Sequence, residues 1–510
     1  MKNQYDIIII GSGMGGLVSS IILAKEGLKV CVLEKNNQYG GNLQTFVRDK
    51  VIFDTGVHYI GGLEKGQNLY QYFKYLGIID DLRLKKMDKD AYDIITFDGD
   101  PNKYPHAQGY ENFIDQLCVF FPNERETIQK YCDKIQSVCD SFPMYNVEEG
   151  GPYDQKILGI KAKDYLDELT DNEDLKVVLA GSNSLYGGNG DKTPLYVHAL
   201  SVNSYIQSSW RCINGGSQIT KLLIRQLRKY GGEIYKHQEV CSFKFDKDEL
   251  IGVNTKKGET FFGKKFISNI DLNATIKMVG EDRFRKSFRM RIERLKVTPS
   301  SFSIYIKFKP KSFPYLNHNI YHFKNKEMIW KATEHDSNKW PEGYMASMGV
   351  NSMEQKFAES MSVMTYMHFN EVEQWAHTTN TVAHKDERGS EYEAFKQKHI
   401  ELLVDELALK YPEIRSCIES VYASTPLSYR DYIGGQNGNM YGFEKDAENP
   451  LKTFISARTK IPNLFLTGQS VNMHGMLGVT IGGVVTCSEI LGKEYLINKI
   501  KEEVNEKTES

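Results

Sequence analysis

No stretch of the 510-residue chain reaches the roughly 18 uninterrupted apolar residues that a membrane-crossing helix needs. Ile7 to Ile10 and Leu17 to Ala24 are apolar and follow Lys2, as in a signal peptide. Gly11, Gly13, Gly15 and Gly16 break that run, so the expectation is a cytoplasmic protein, soluble or peripherally attached to a membrane. An excess of positive charge is also missing: 64 Lys and Arg face 66 Asp and Glu, for a net charge of −2. Without a bulk positive field, nucleic acid is not expected as a partner. None of the eight cysteines forms a CxxC pair, and no Cys/His group has zinc spacing. They read as reduced, buried thiols, and no metal site is expected. Neither GxSxG nor HExxH occurs, which removes the nucleophile elbow and the zinc-protease helix. No internal repeat or low-complexity segment stands out.

What is present begins at Ile7. The run Ile7-Ile8-Ile9-Ile10 has the β-branched continuity of a parallel strand covered on both faces. It leads at once into Gly11-Ser12-Gly13-Met14-Gly15-Gly16. Gly11, Gly13 and Gly16 fit the G-x-G-x-x-G fingerprint, one each for the tight turn, close approach to a pyrophosphate and close helix–strand packing. Leu17, Val18, Ile21, Ile22 and Leu23 give the next segment a buried helical face, with Gly27 as its stop. The start of that helix carries free N–H groups and partial positive charge, which suits a pyrophosphate. A second strand, 29–33, ends at Glu34, placed to bond ribose hydroxyls and to repel a 2′-phosphate. GxGxxG alone is weak, but here it stands between a strand and a helix with a second strand and an acid in register.

Gly40-Gly41-Asn42 and Thr45 follow the acid. An acid, a short gap, a glycine pair and Thr resemble the FAD enzymes that include amine oxidases and phytoene desaturases. Many of those have Arg after the glycine pair. Asn42 stands there instead and points away from the amine oxidase branch. The segment 53–61, Phe-Asp-Thr-Gly-Val-His-Tyr-Ile-Gly, is similar to retinol saturases, with a related stretch in carotenoid isomerases. So is 461–469, which ends Thr467-Gly468-Gln469, with Gln469 where other relatives carry an acid. Thr425-Pro426-Leu427 and the glycines from Gly438 to Gly442 agree with the same subgroup. The resemblance covers about half of the chain and is specific for FAD, but weak for the individual substrate.

That resemblance implies an α/β fold: a Rossmann-like FAD domain with an inserted α+β substrate domain. The expected FAD domain is discontinuous, at 1–75, 205–275 and 430–500. Residues 76–204 and 276–429 form the substrate domain, and 501–510 a tail that is a solvated helix end or unstructured. The expected FAD contacts are Gly11, Gly13, Gly16, Glu34, Gly41, Asn42, Thr45, Val240, Gly468, Gln469, Gly475, Gly478 and Val479. In relatives the residue matching Val240 meets the adenine through its backbone; a plain core valine is the other reading. Gly475 to Thr480 opens a helix whose N-terminus would face the pyrimidine edge of the flavin, and a helix packed tightly on a neighbour is the alternative.

The chemistry implied is hydride transfer between flavin and an apolar polyene, a retinoid or carotenoid, with saturation of a conjugated C=C bond. His58, Tyr59 and His474 are the candidate proton donors. Desaturation and cis–trans isomerisation need the same cradle and stay open, as do an FAD amine oxidase and a non-catalytic flavoprotein. One dinucleotide motif is visible, so NAD(P)H as electron donor stays open too. The many aromatics (Tyr72, Phe73 and Phe142 among them) can line a polyene tunnel or fill a core. His106, His198 and His377 read as satisfied or surface histidines. An apolar patch at a tunnel mouth would give peripheral membrane contact.

Overall fold

The computed structural model describes residues 4–149 and 155–509. Its first sheet is seeded by Gln4–Ile10, where all four consecutive isoleucines are buried. Val30–Leu33 pairs parallel on one side, and Glu233–Tyr235 pairs parallel beyond it. On the other side runs Thr260–Ser268, parallel in register Ile10↔Ser268. That nine-residue strand is shared. Its first half pairs antiparallel with Glu249–Thr255, which continues into Val240–Asp246. Its second half pairs parallel with Leu464–Leu466, in register Ser268↔Leu466. Buried on both faces, Ile7 to Ile10, Val30–Leu33 and Leu464–Leu466 are apolar without alternation, whereas the outer strand Val240–Asp246 alternates buried and exposed residues.

Helix Met14–Lys25 covers one face, and eleven of its residues are buried. Helix Gly475–Leu491 packs on it through small residues: a Cβ on Gly483 would stand 2.9 Å from Val18 Cγ1. The last helix, Lys493–Glu509, docks through Leu496, Ile497 and Ile500, and Glu503 pairs with Lys25 at 2.5 Å.

A second seven-stranded sheet stands apart from the first. Its order is Ile418–Ser424, Ser300–Phe308, Ser360–Met367, Gly343–Met348, Asn319–Phe323, Asp93–Phe97, Tyr104–His106. All its pairs are antiparallel except Asn319–Phe323 with Asp93–Phe97. Helices between 110 and 207 lie beside it, and the 22-residue helix Gly389–Lys410 closes another core. All eight cysteines are free thiols; contrary to expectation, Cys241 on an outer strand is exposed and Cys118 is half-buried. Among the described residues no helix is long and apolar enough to cross a membrane.

Candidate active site

The parallel strands Gln4–Ile10 and Val30–Leu33 end together, and the glycine loop turns there. Gly11 has φ +94°, which an L side chain rarely adopts. A Cβ on Gly16 would lie 2.3 Å from the Gly11 carbonyl oxygen, so only glycine lets helix and strand close up. Gly13 caps the helix without a side chain, and the first turn holds no acid. The helix start therefore presents uncapped N–H groups and its positive end. Asn269, at the end of the shared strand, donates from Nδ2 to the Gly11 carbonyl at 3.1 Å and braces the loop from below.

Glu34 is buried and fully engaged. Its Oε2 accepts from the Ser12 hydroxyl at 2.6 Å and from the Ser12 amide at 3.1 Å, and its Oε1 accepts from the Asn36 amide at 2.8 Å. Ser12 Oγ in turn accepts from the Gly40 amide, which ties the glycine pair to the fingerprint. Replacing Glu34 by Ala leaves two buried Ser12 donors without this acceptor, at about 1–3 kcal/mol. A titration of apoprotein with FAD should then show roughly 10- to 100-fold weaker binding.

These groups open onto a cavity of about 450 Å³. Gly11, Gly13, Glu34, Gly41, Asn42 and Val240 border one stretch of it; Gly468, Gln469, Gly475 and Val479 border another. Asn42 Nδ2 donates to Gln469 Oε1 across it at 3.4 Å. Three expected contacts stand elsewhere. Gly16 is behind the loop, Thr45 bonds the Ser217 hydroxyl, and Gly478 borders a neighbouring cavity. Gly41 has φ +57°, and a Cβ there would come within 3.2 Å of Gly13 Cα. A cleft with glycine backbone on its walls, a bare helix start and a buried acid fits a flavin dinucleotide. The buried Thr467 hydroxyl, which has no partner among the described residues, is a further group such a ligand could engage.

The same cavity continues into a chamber against the second sheet, walled by Tyr59, Tyr205, Tyr321, Tyr441, Met345 and Met364. The Tyr59 and Tyr205 rings stack at 4.4 Å. Tyr59 donates to Asp93 Oδ2 at 2.9 Å, and its oxygen lies 2.7 Å from that of Tyr321. Asn319 donates to Asp93 Oδ1 at 2.8 Å and is itself held by the buried Arg211. Burial pushes the Asp93 carboxyl up to about 7, against the pull of its hydrogen bonds and Arg211. Burial raises Tyr59 and Tyr321 well above the ordinary phenol value.

The two candidate histidines differ from Tyr59. Burial pushes His58 down to about 4, helped by the Arg211 charge. His474 is also pushed to about 4, by burial and then by Lys445, and its Nε2–H donates to the Leu185 carbonyl at 3.2 Å. Both border the cavity as neutral imidazoles at neutral pH. Asp93 and Tyr321 carry no local sequence signal; they come from neighbouring strands of the second sheet and meet Tyr59 only in the fold. Of the aromatics singled out by clustering, Tyr72 and Phe73 are fully buried in the core, and Phe142 borders a second cavity. His198 bridges the Tyr131 and Tyr186 hydroxyls and is a satisfied core histidine.

A family profile described as an NAD(P)-binding Rossmann-like domain matches residues 9–76. All-trans-retinol 13,14-reductase of Homo sapiens is 26% identical over 550 residues, covering 98% of this chain and 88% of the relative. A chloroplastic prolycopene isomerase of Daucus carota is 24% identical, covering 96% and 80%. Among solved structures, an oxidoreductase from Methanosarcina mazei superposes with a TM-score of 0.62 at 14% identity, over 94% of this chain and 98% of that one. The fold and its cleft define a flavin-dependent oxidoreductase. Within that class the chain is similar, over nearly its whole length, to all-trans-retinol 13,14-reductases and to prolycopene isomerases.

Proposed function

We propose that the protein holds FAD in the glycine-walled cleft and saturates a conjugated C=C bond of an apolar polyene, a retinoid or carotenoid. The observation that carries this is the continuity of the dinucleotide cleft with a tyrosine- and methionine-walled chamber. FAD bound there supplies two-electron hydride chemistry. The chain's own part is to orient the polyene, keep water out and deliver the proton. Tyr59 faces the chamber and is the proton donor of this reading. Asp93 behind it, held near pH 7, returns a proton along the same contact. His58 and His474, neutral at that pH, shape the site.

The match to a prolycopene isomerase favours one second reading, cis–trans isomerisation without net reduction. NAD(P)H as electron donor and peripheral contact with the membrane that dissolves the substrate belong to the same proposal. The test is an absorption spectrum of purified protein, oxidised and then anaerobically reduced, with retinol or a carotene added. Loss or shift of the polyene bands only after reduction supports the reading, and a product mass gain of two hydrogens selects saturation over isomerisation. Unchanged polyene bands would sink it.

A further inference from the structure

Beside the chamber lies a second cavity of about 350 Å³. The two share a wall: Leu185, Tyr205, His474, Gly475 and Met476 border both. Leu69, Phe142, Leu200, Ile481 and Val485 make the rest of the second cavity largely apolar. One cation reaches into it, Lys445.

Among the described residues Lys445 has no counter-ion. Its Nζ donates to the Thr453 carbonyl at 3.4 Å, and among the described residues it pairs with no carboxylate. The neighbouring acids are occupied. Glu444 pairs with Lys192 at 3.1 Å, and Asp446 accepts from the Glu448 amide and the Asn449 side chain. Glu489, which also borders the cavity, is held by Arg458. Lys445 is half-buried, and desolvation without a compensating charge pushes its ammonium down to about 8. A partly desolvated cation facing apolar walls is costly, and an anion brought by a ligand relieves that cost. A single ammonium and one side-chain amide, Asn472, border the cavity, a set that suits a monoanion better than a phosphate dianion.

We propose that Lys445 anchors the carboxylate head of an elongated substrate whose apolar chain runs along the second cavity toward the chamber. This rests on reading the chamber as the polyene site, and it narrows the substrate class to polyenes with an acidic end. The anchoring residue sets specificity and takes no part in bond making.

The test uses flavin-loaded protein and quenching of its intrinsic fluorescence. All-trans-retinoic acid, all-trans-retinol and palmitate are titrated into wild type, Lys445→Met and Lys445→Arg. The acid should bind the wild type more tightly than the alcohol. Lys445→Met should weaken retinoic acid on the order of 30-fold or more, the usual cost of removing one partner of an enclosed charge pair, and leave retinol within threefold. Lys445→Arg should retain most of the acid's affinity. An unchanged flavin spectrum in Lys445→Met shows that the variant is folded. The proposal is overturned if acid and alcohol bind the wild type equally, or if Lys445→Met weakens both alike. Palmitate bound through Lys445 while neither retinoid binds would keep the anion site and remove the polyene reading. Retinol bound with no dependence of any acid on Lys445 would do the reverse.

Discussion

Gly13→Val should give a folded protein that purifies without yellow colour. A Cβ at Gly13 meets only Asn269 Nδ2, at 3.2 Å, so the chain can accept it. The valine methyls would occupy the space where the loop backbone must approach a pyrophosphate. Losing even one charge-assisted hydrogen bond there costs about 1.5–3 kcal/mol, so flavin retention should fall tenfold or more. Gly16→Ala is the contrasting variant. Its Cβ would collide with the Gly11 carbonyl oxygen at 2.3 Å, a backbone atom that cannot step aside. That variant should lose stability first, by about 1–3 kcal/mol or more, and flavin as a consequence. Circular dichroism with the 450 nm region of the absorption spectrum separates the two. Full flavin in Gly13→Val would show that the cofactor does not lie on this loop.

The second large effect is expected at Tyr59. Tyr59→Phe keeps the ring that stacks on Tyr205 and removes the hydroxyl shared with Tyr321 and Asp93. Turnover of a polyene should fall by roughly 10²- to 10⁴-fold, the range for a lost general acid, with an unchanged flavin spectrum. Burial raises Asp93 to about 7, so its protonated form predominates below that pH. The wild-type rate should decline as pH rises through 7, and Asp93→Asn should be slow and lack that inflection. The linkage sign agrees. A carboxyl raised from 3.8 to about 7 confers stability that is complete below the lower value and lost as pH rises through the upper one. The thermal midpoint should therefore drop between pH 5 and pH 8, and less so in Asp93→Asn. A Tyr59→Phe enzyme as fast as wild type would remove the hydroxyl from the mechanism.

The cradle was legible in sequence because its logic is local. Strand, glycine loop, helix and acid follow one another within 34 residues, and each residue type has one physical reason to be there. Gly475 to Thr480 was legible for the same reason, as a glycine-rich helix start. The chamber was not legible. Tyr59, Tyr205, Tyr321 and Tyr441 lie far apart in sequence, and 30 tyrosines offer no means of choosing four. Runs of aromatics could not by themselves separate tunnel from core; helix Asn68–Tyr75 turns Tyr72 and Phe73 into the core. Thr45 illustrates a limit of resemblance: its hydroxyl is taken by Ser217, outside the cleft. Of the proposed proton donor, Tyr59 was visible in sequence and its hydrogen-bond partner Asp93 was not, because an acid on a strand shows its burial only once the sheet is assembled.

One pairing described above bears on how the protein is made. Leu464–Leu466 and the helix from Gly475 are synthesised roughly 450 residues after the strand that starts the first sheet. Asn269 needs its own strand in place before it can brace the glycine loop. At roughly 5–20 residues per second, about half a minute to a minute and a half separates the first of these pieces from the last. From the synthesis of Thr260–Ser268 onward the nascent chain carries an open strand edge at Phe266–Ser268, with no finished nucleotide cradle to cover it. Flavin can stabilise only the completed product, so supply of the vitamin precursor should govern how much chain survives after release rather than how it begins to fold.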